Sequence, residues 1–243
     1  MAHIYTVLSG KGGVGKSTLC ANVAVSLSQQ GKKVLLIDGD VSLRSLDLLL
    51  GLDEMVLYDW FDVITERCDK DKARLFFDDN LQLLASPLEL PESFDKDVFK
   101  ALLSQYSEDY DYIIIDSPAG IGELPLIYAR CAHTCLIVAT PDNVSARSAY
   151  IAGNELVKAG IDDNTIFLII NRFDPFAVRR SKYLNIDEII DITYIKLLGV
   201  VPEEKKIMYT SVKDTELSKN CKAKICFDNI AGRIMGKEIP LNL

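Results

Sequence analysis

The sequence predicts an α/β fold: three layers, a doubly wound and mainly parallel sheet of about seven to eight strands, and helices on both faces. Three observations carry this. Runs rich in Val, Ile and Leu recur without polar alternation, as in Val34–Ile37, Tyr112–Ile115 and Phe167–Ile170; that is the pattern of strands buried on both faces. Helical stretches lie between the runs, so successive strands are joined by crossovers and run parallel. Four of the strands end in Ser9-Gly10, Asp38, Asp116 and Asn171, and open parallel sheets bind ligands beyond the carboxyl ends of their strands.

In chain order, His3 to Leu8 reads as the first strand. A helix over Ser17 to Gln30 follows, with Leu19, Val23, Val25 and Leu27 as its apolar positions. Lys33 to Ile37 is the second strand, ending in Asp38. Leu46–Leu50 and Tyr58–Thr65 read as short helices, and Asp53 to Asp79 as an irregular, charged surface excursion. Asn80–Ala85 is a short strand, Lys96–Tyr106 a helix and Asp111–Ile115 a strand ending in Asp116. Thr134–Ala139 is a strand, Val144–Lys158 a helix and Thr165–Ile170 a strand ending in Asn171. Leu197–Val201 closes the strands, and a helix over Lys222–Met235 is expected to pack on the domain through Ile225, Ile230, Ile234 and Met235.

The chain has 243 residues, of which 49% are hydrophobic and 26% charged. Such a chain buries its own core without disulfides or metals. No repeat, Pro/Gly/Ser-rich linker or break in composition divides it, so residues 1–243 are expected to form one domain. Lys and Arg total 27 against 35 Asp and Glu, for a net charge of −8; this argues against nucleic acid, whose binding rests on clustered cations. Neither a signal peptide nor an apolar run of membrane-spanning length is present, so a cytoplasmic location is expected. The cysteines at 20, 68, 131, 135, 221 and 226 include no Cys-x-x-Cys pair. They read as small apolar side chains, Cys131-Ala-His133-Thr-Cys135 included, rather than a metal site.

The strongest local signal is Gly10-Lys11-Gly12-Gly13-Val14-Gly15-Lys16-Ser17-Thr18, which leaves a strand and opens a helix. Glycines let backbone N–H groups converge on phosphate oxygens, and the helix N-terminus adds partial positive charge. Lys16 supplies a cation for β- and γ-phosphates, and the Ser17 hydroxyl a ligand for Mg²⁺. Lys11 is a second lysine in the same loop. Two lysines on one triphosphate would crowd the nest, so Lys11 either faces solvent or reaches a phosphate held by a second subunit. Carboxylates at strand ends beside such a nest, Asp38 and Asp116, can hold Mg²⁺ or orient water. Asn171 has both a donor and an acceptor for an adenine edge.

Lys11 through Thr18 resembles the deviant Walker A motif of the MinD/ParA family. Val34–Asp40, Leu43–Gly51, Tyr112–Ile121, Thr140-Pro-Asp142 through Arg147, Ile169–Arg172 and Leu198–Glu203 resemble further family segments in order and spacing. The resemblance covers roughly residues 1 to 205 and is closest to the MinD branch. It implies a P-loop NTPase fold and slow, activator-dependent hydrolysis of ATP to ADP and phosphate, with ATP and Mg²⁺ as cofactors. It implies that Gly10–Thr18 cradle the phosphates, with Thr18 at the α-phosphate, and that Lys11 reaches across an ATP-dependent homodimer. Asp40 would position the attacking water, Ser17, Asp38 and Asp116 would attend Mg²⁺, and Asn171, Arg172, Pro202 and Glu203 would flank the base. The function so implied is positioning the division septum or similar machinery through a protein partner.

The sequence departs from the branch at Ser45, Gly122 and Ser148, on the surface used for partners and dimer coupling. Residues 236–243 are too short and carry too little charge for an interfacial helix, so membrane contact is expected only through a partner at the membrane or pole. The region Glu203–Asn220 lacks an expected glycine turn. Readings left open are a ParA-like ATPase that partitions DNA, a regulator positioning a flagellum or pilus, and a nucleotide-binding adaptor with little hydrolysis. An iron–sulfur carrier would want paired cysteines, and a biosynthetic enzyme a second substrate pocket; neither is legible.

Overall fold

The structure, a computed structural model, describes residues 1–41, 43–90, 94–204 and 221–241. One sheet of eight strands contains β1 His3–Leu8, β2 Val34–Asp38, β3 Arg74–Phe76, β4 Leu81–Leu84, β5 Tyr112–Asp116, β6 Thr134–Ala139, β7 Ile166–Phe173 and β8 Lys196–Pro202. Their order is β3-β4-β2-β5-β1-β6-β7-β8. Every neighbouring pair is parallel except β3 with β4. The sheet is therefore the mainly parallel one expected, with an added antiparallel edge.

Period-two alternation sorts the strand side chains into two faces. Val34 and Leu36 look to one core, with Tyr5, Val7 and Ile114, beneath α1 Lys16–Gln29, α2 Leu46–Leu50 and a C-terminal helix, α9, Lys222–Ile234. Leu35 and Ile37 look to the other face. There α3 Trp60–Ile64, α4 Lys96–Tyr106 and α5 Glu123–Cys131 bury Trp60, Phe99, Tyr106 and Tyr128. Further along that face α6 Asn143–Lys158 and α8 Ile186–Thr193 cover Ile137, Ala139, Leu168 and Ile170. A short α7, Pro175–Arg179, follows β7.

Among the described residues, one strand and three α-helices were not expected from sequence. β3 lies inside the stretch read as irregular; it is three residues held by antiparallel pairing, Arg74 opposite Leu84. In α5, Pro125 occupies the third position. There the missing N–H is one a first turn leaves unpaired anyway, so a residue that reads as a breaker is tolerated. α7 opens with Pro175 behind an Asp174 cap, and α8 with a capping box between Asn185 and Glu188.

α9 packs as expected through Ile230 and Ile234, joined by Ala223, Cys226, Phe227 and Ala231. Ile225 does not join them, being 46% exposed. The helix turns its 223/226/227/230/234 stripe inward, and Ile225 falls off that stripe. Arg233 then fastens the following segment, donating to the carbonyls of Leu198, Ile239 and Pro240 at 2.8–3.0 Å. The expectation about the missing glycine turn lies, past residue 204, outside the described residues. Among the described residues no helix is long and apolar enough to cross a membrane.

Candidate active site

The order of the strands decides where the chemistry sits. β2, β5 and β1 are adjacent, so Asp38, Asp116 and the loop after β1 emerge side by side at one edge. Asp38 and Asp116 are direct register partners. Parallel neighbours stand about 4.8 Å apart, so two carboxylates face the same small volume.

The loop of residues 9–15 delivers the chain into α1. Gly15 caps that helix in the left-handed region, at φ 87°. A Cβ there would also lie 2.5 Å from Asn171 Nδ2, so the position needs glycine twice over. Asn171, at the end region of β7, donates from Nδ2 to the Val14 carbonyl at 2.8 Å. Val14 and Asn171 are buried. Lys11, Gly12 and Gly13 are exposed, while Gly10, Gly15, Ser17 and Thr18 are half-buried. Gly10 lies against the backbone of Ser148 in α6.

Lys16 points inward, where Nζ meets Asp116 Oδ1 at 2.5 Å. Both side chains are almost wholly withdrawn from water. Burial alone would lower the lysine pKa, but the charge of Asp116, with Cys20 and Asp40, raises it on balance. The Cys20 thiol donates to the same Asp116 oxygen at 3.5 Å. Asp116 Oδ2, equally buried, has no hydrogen-bond partner among the described residues.

Asp38 is engaged differently. Oδ1 accepts from the Asp40 N–H and Oδ2 from the Leu46 N–H, each at 3.0 Å. Full burial and the neighbouring Asp116 charge push its pKa up to about 7, against those two donors. Asp38 thus ties Asp40 and Leu46 to the end of β2, and Asp116 carries the uncommitted oxygen. Asp40 is buried at the mouth of the pair, 7% exposed.

Of the remaining predicted residues, Arg172 stands beside the loop. Its guanidinium comes within 3.8 Å of the space over Gly15, from a backbone at φ 57°. Pro202 ends β8, and Glu203 N donates to the Phe173 carbonyl at 3.0 Å. Glu203 is exposed and lines a cleft of about 240 Å³ with Asp174, Phe176 and Tyr183. The structure so gathers the loop, Asp38, Asp40, Asp116, Asn171 and Arg172, whereas Pro202 and Glu203 stand at the end of β8, where Glu203 lines a cleft that none of the others enters.

Two residues were missed. Cys20 lies one turn after Lys16 and carries no motif signal. Asp142 caps α6 by accepting from Ser145 N at 2.9 Å, and Thr140 Oγ1 donates to it at 2.6 Å. Burial opposes ionisation of Asp142, but those donors and the charge of Lys11 hold its pKa down. Its Asp-x-x-Ser spacing was a legible cap signal.

The family profile described as "ParA: NUBPL iron-transfer P-loop NTPase" matches residues 1–235. The chain belongs to the ParA family of P-loop NTPases. Its relatives within the family include septum site-determining proteins named MinD. The septum site-determining protein MinD of Synechocystis sp. is 38% identical over 248 residues, 99% of this chain and 92% of that protein. The MinD of Bacillus subtilis is 32% identical, over 100% of this chain and 92% of that protein. A solved MinC:MinD cell division complex from Aquifex aeolicus superposes with a TM-score of 0.90 at 33% identity, covering 100% of this chain and 99% of that one. MinD of Pyrococcus horikoshii, solved with Mg-ADP, gives 0.83 at 26% identity over 96% of each chain. This ParA-family chain lies in the MinD branch.

In Cys131-Ala-His133-Thr-Cys135 two side chains serve the fold. His133 Nδ1 accepts from Ile4 N at 2.9 Å, Cys135 is buried in a core, and burial pushes its pKa up to about 12. Among the described residues no three His, Cys, Asp or Glu side chains converge on a metal position.

Proposed function

We propose that this chain is, across residues 1–243, a single MinD-like ATPase unit that dimerises on ATP and hydrolyses it to govern where a division septum forms. The observation that carries the reading is the unequal fate of two lysines in one loop. Lys16 is committed inside, 2.5 Å from Asp116, while Lys11 is exposed at the mouth. A cation at the rim gains most from a phosphate its own chain does not hold.

The residues fit a magnesium nucleotide. Gly10 to Gly15 and the first turn of α1 present N–H groups to phosphate, Lys16 serves the β- and γ-phosphates and Thr18 the α-phosphate. Mg²⁺ takes few protein ligands and keeps several waters. The Ser17 hydroxyl, the orphaned Asp116 Oδ2 and, behind it, Asp38 suit that preference. When bound, Mg²⁺ neutralises charge developing on the transferred phosphoryl group. Asp40 orients the attacking water; Asn171 and Arg172 border the base, with Pro202 and Glu203 beyond. Turnover is slow until a protein activator binds. The MinC:MinD neighbour supports a protein partner, and the net charge of −8 supports a cytoplasmic protein brought to membrane or pole by that partner rather than by its own affinity for anionic lipid.

Light scattering tests the reading. Asp40→Ala with ATP and Mg²⁺ should be a dimer, and a monomer with ADP. Adding Lys11→Ala should return it to a monomer that still binds ATP. A dimer that persists in the double variant would remove the cross-subunit role of Lys11.

A further inference from the structure

The segment Asp38–Asp40 carries the carboxylate assigned above to the attacking water, and its backbone is pinned from several sides. The Asp38 carbonyl accepts from Trp60 Nε1 of α3 at 2.8 Å. The Gly39 carbonyl accepts from the Tyr128 hydroxyl of α5 at 3.1 Å. Gly39 N donates to the Asp116 carbonyl at 2.8 Å, and Asp40 N to Asp38 Oδ1 at 3.0 Å. Trp60 and Tyr128 are both at 0% exposure. There is no slack in the packing: a Cβ on Gly39 would stand 2.7 Å from both the Asp116 carbonyl and Tyr128 Cε2.

The Gly39 carbonyl belongs to the planar peptide that joins Gly39 to Asp40. Fixing that oxygen fixes the plane, and with it the direction in which the Asp40 side chain leaves the backbone. Without its donor the oxygen would be buried and unpaired, which the peptide relieves by rotating toward another partner. A rotation of that kind moves a carboxylate by a sizeable fraction of an ångström. Reactions that depend on an oriented water are sensitive to displacements of that size. Burial, with the charges of Asp38 and Asp40 nearby, keeps the Tyr128 phenol protonated and therefore a donor.

We infer that Tyr128 is a positioning residue for hydrolysis, holding Asp40 in register with the attacking water through the Gly39 carbonyl. The inference rests on the reading of Asp40 given above. It adds α5, the helix that follows the Asp116 turn, to the machinery that sets the hydrolytic geometry.

The test is single-turnover ATP hydrolysis by the full chain with Mg²⁺ and protein in excess. Tyr128→Phe keeps the ring and deletes one oxygen. Its rate should fall roughly tenfold, the size of one buried hydrogen bond, while the ATP dissociation constant stays within about twofold. In an Asp40→Ala background the same substitution should change nothing further, since no carboxylate is left to misplace. Replacing Tyr128 by 4-aminophenylalanine, which restores a neutral donor, should restore the rate. A parental rate for Tyr128→Phe, or an equal further loss in the Asp40→Ala background, overturns the inference. If Asp40→Ala itself hydrolyses at the parental rate, the reading of Asp40 falls and takes this inference with it. An inactive Asp40→Ala beside a fully active Tyr128→Phe removes the inference alone.

Discussion

Asp38 is a carboxylic acid enclosed by protein, with another carboxylate as its register partner. Its pKa of about 7 in the folded chain compares with an ordinary 3.8. Between those values the folded state keeps a proton that the unfolded chain has released. Stability therefore falls as pH rises through that interval and levels off above it. The protein free of metal and nucleotide should lose urea resistance from pH 5 to 7.5, and Asp38→Asn should lose less over the same range. Parallel curves for the two proteins would mean that Asp38 is ionised throughout. The identity of such residues was legible in the sequence, because a carboxylate at the end of an apolar strand stands out. Their partners were not. That Asp38 accepts from Asp40 and Leu46, and that Asn171 donates to Val14, follows from where α2 starts relative to β2 and from β7 lying two strands from β1. Neither is a local property.

Among the elements, α1 and α9 show how far periodicity reaches and where it stops. Both helices were expected from their apolar spacing, yet that spacing admitted Ile225 to the buried face. What excludes it is the neighbour. α9 lies on α1 and β8, and only the stripe through Phe227 and Ile230 faces them. Phe227, 2% exposed, fills that interface. Phe227→Ala should cost about 3–5 kcal/mol of unfolding free energy. Ile225→Ala should stay within about 0.5 kcal/mol. Similar losses for the two, measured by urea denaturation, would mean that α9 is rotated from the orientation described. Of the three helices not expected, α5 and α7 were hidden by their first residues, while α8 opens on a capping box that the sequence spells out. Proline at position 125 or 175 reads as a breaker unless its place in the first turn is known.

For the whole molecule, a mainly parallel sheet was legible but its order was not. Crossover connections do not say on which side of β1 the next strand will fall, and β3 is too short to carry a pattern of its own. That order matters because it sets Lys16 against Asp116, from an adjacent strand. The chain as a whole is anionic, at −8, so an incoming nucleotide depends on a few local cations, and the innermost of them is already engaged. The loop is in this sense self-liganded: the carboxylate of Asp116 is an internal competitor for the ammonium that a phosphate bound as proposed would recruit. Drawing Lys16 away strands a buried negative charge, a cost that leaves the nucleotide weak unless another cation takes the vacated place. ADP should accordingly bind Asp116→Asn more tightly than the parent in EDTA, and less tightly once Mg²⁺ is restored. Titration calorimetry in the two buffers would show affinities that cross; affinities ranked alike in both would mean that no such rivalry exists. Where the affinities cross, the divalent ion is the substitute that releases the loop from its own side chain, as well as the companion of the phosphates.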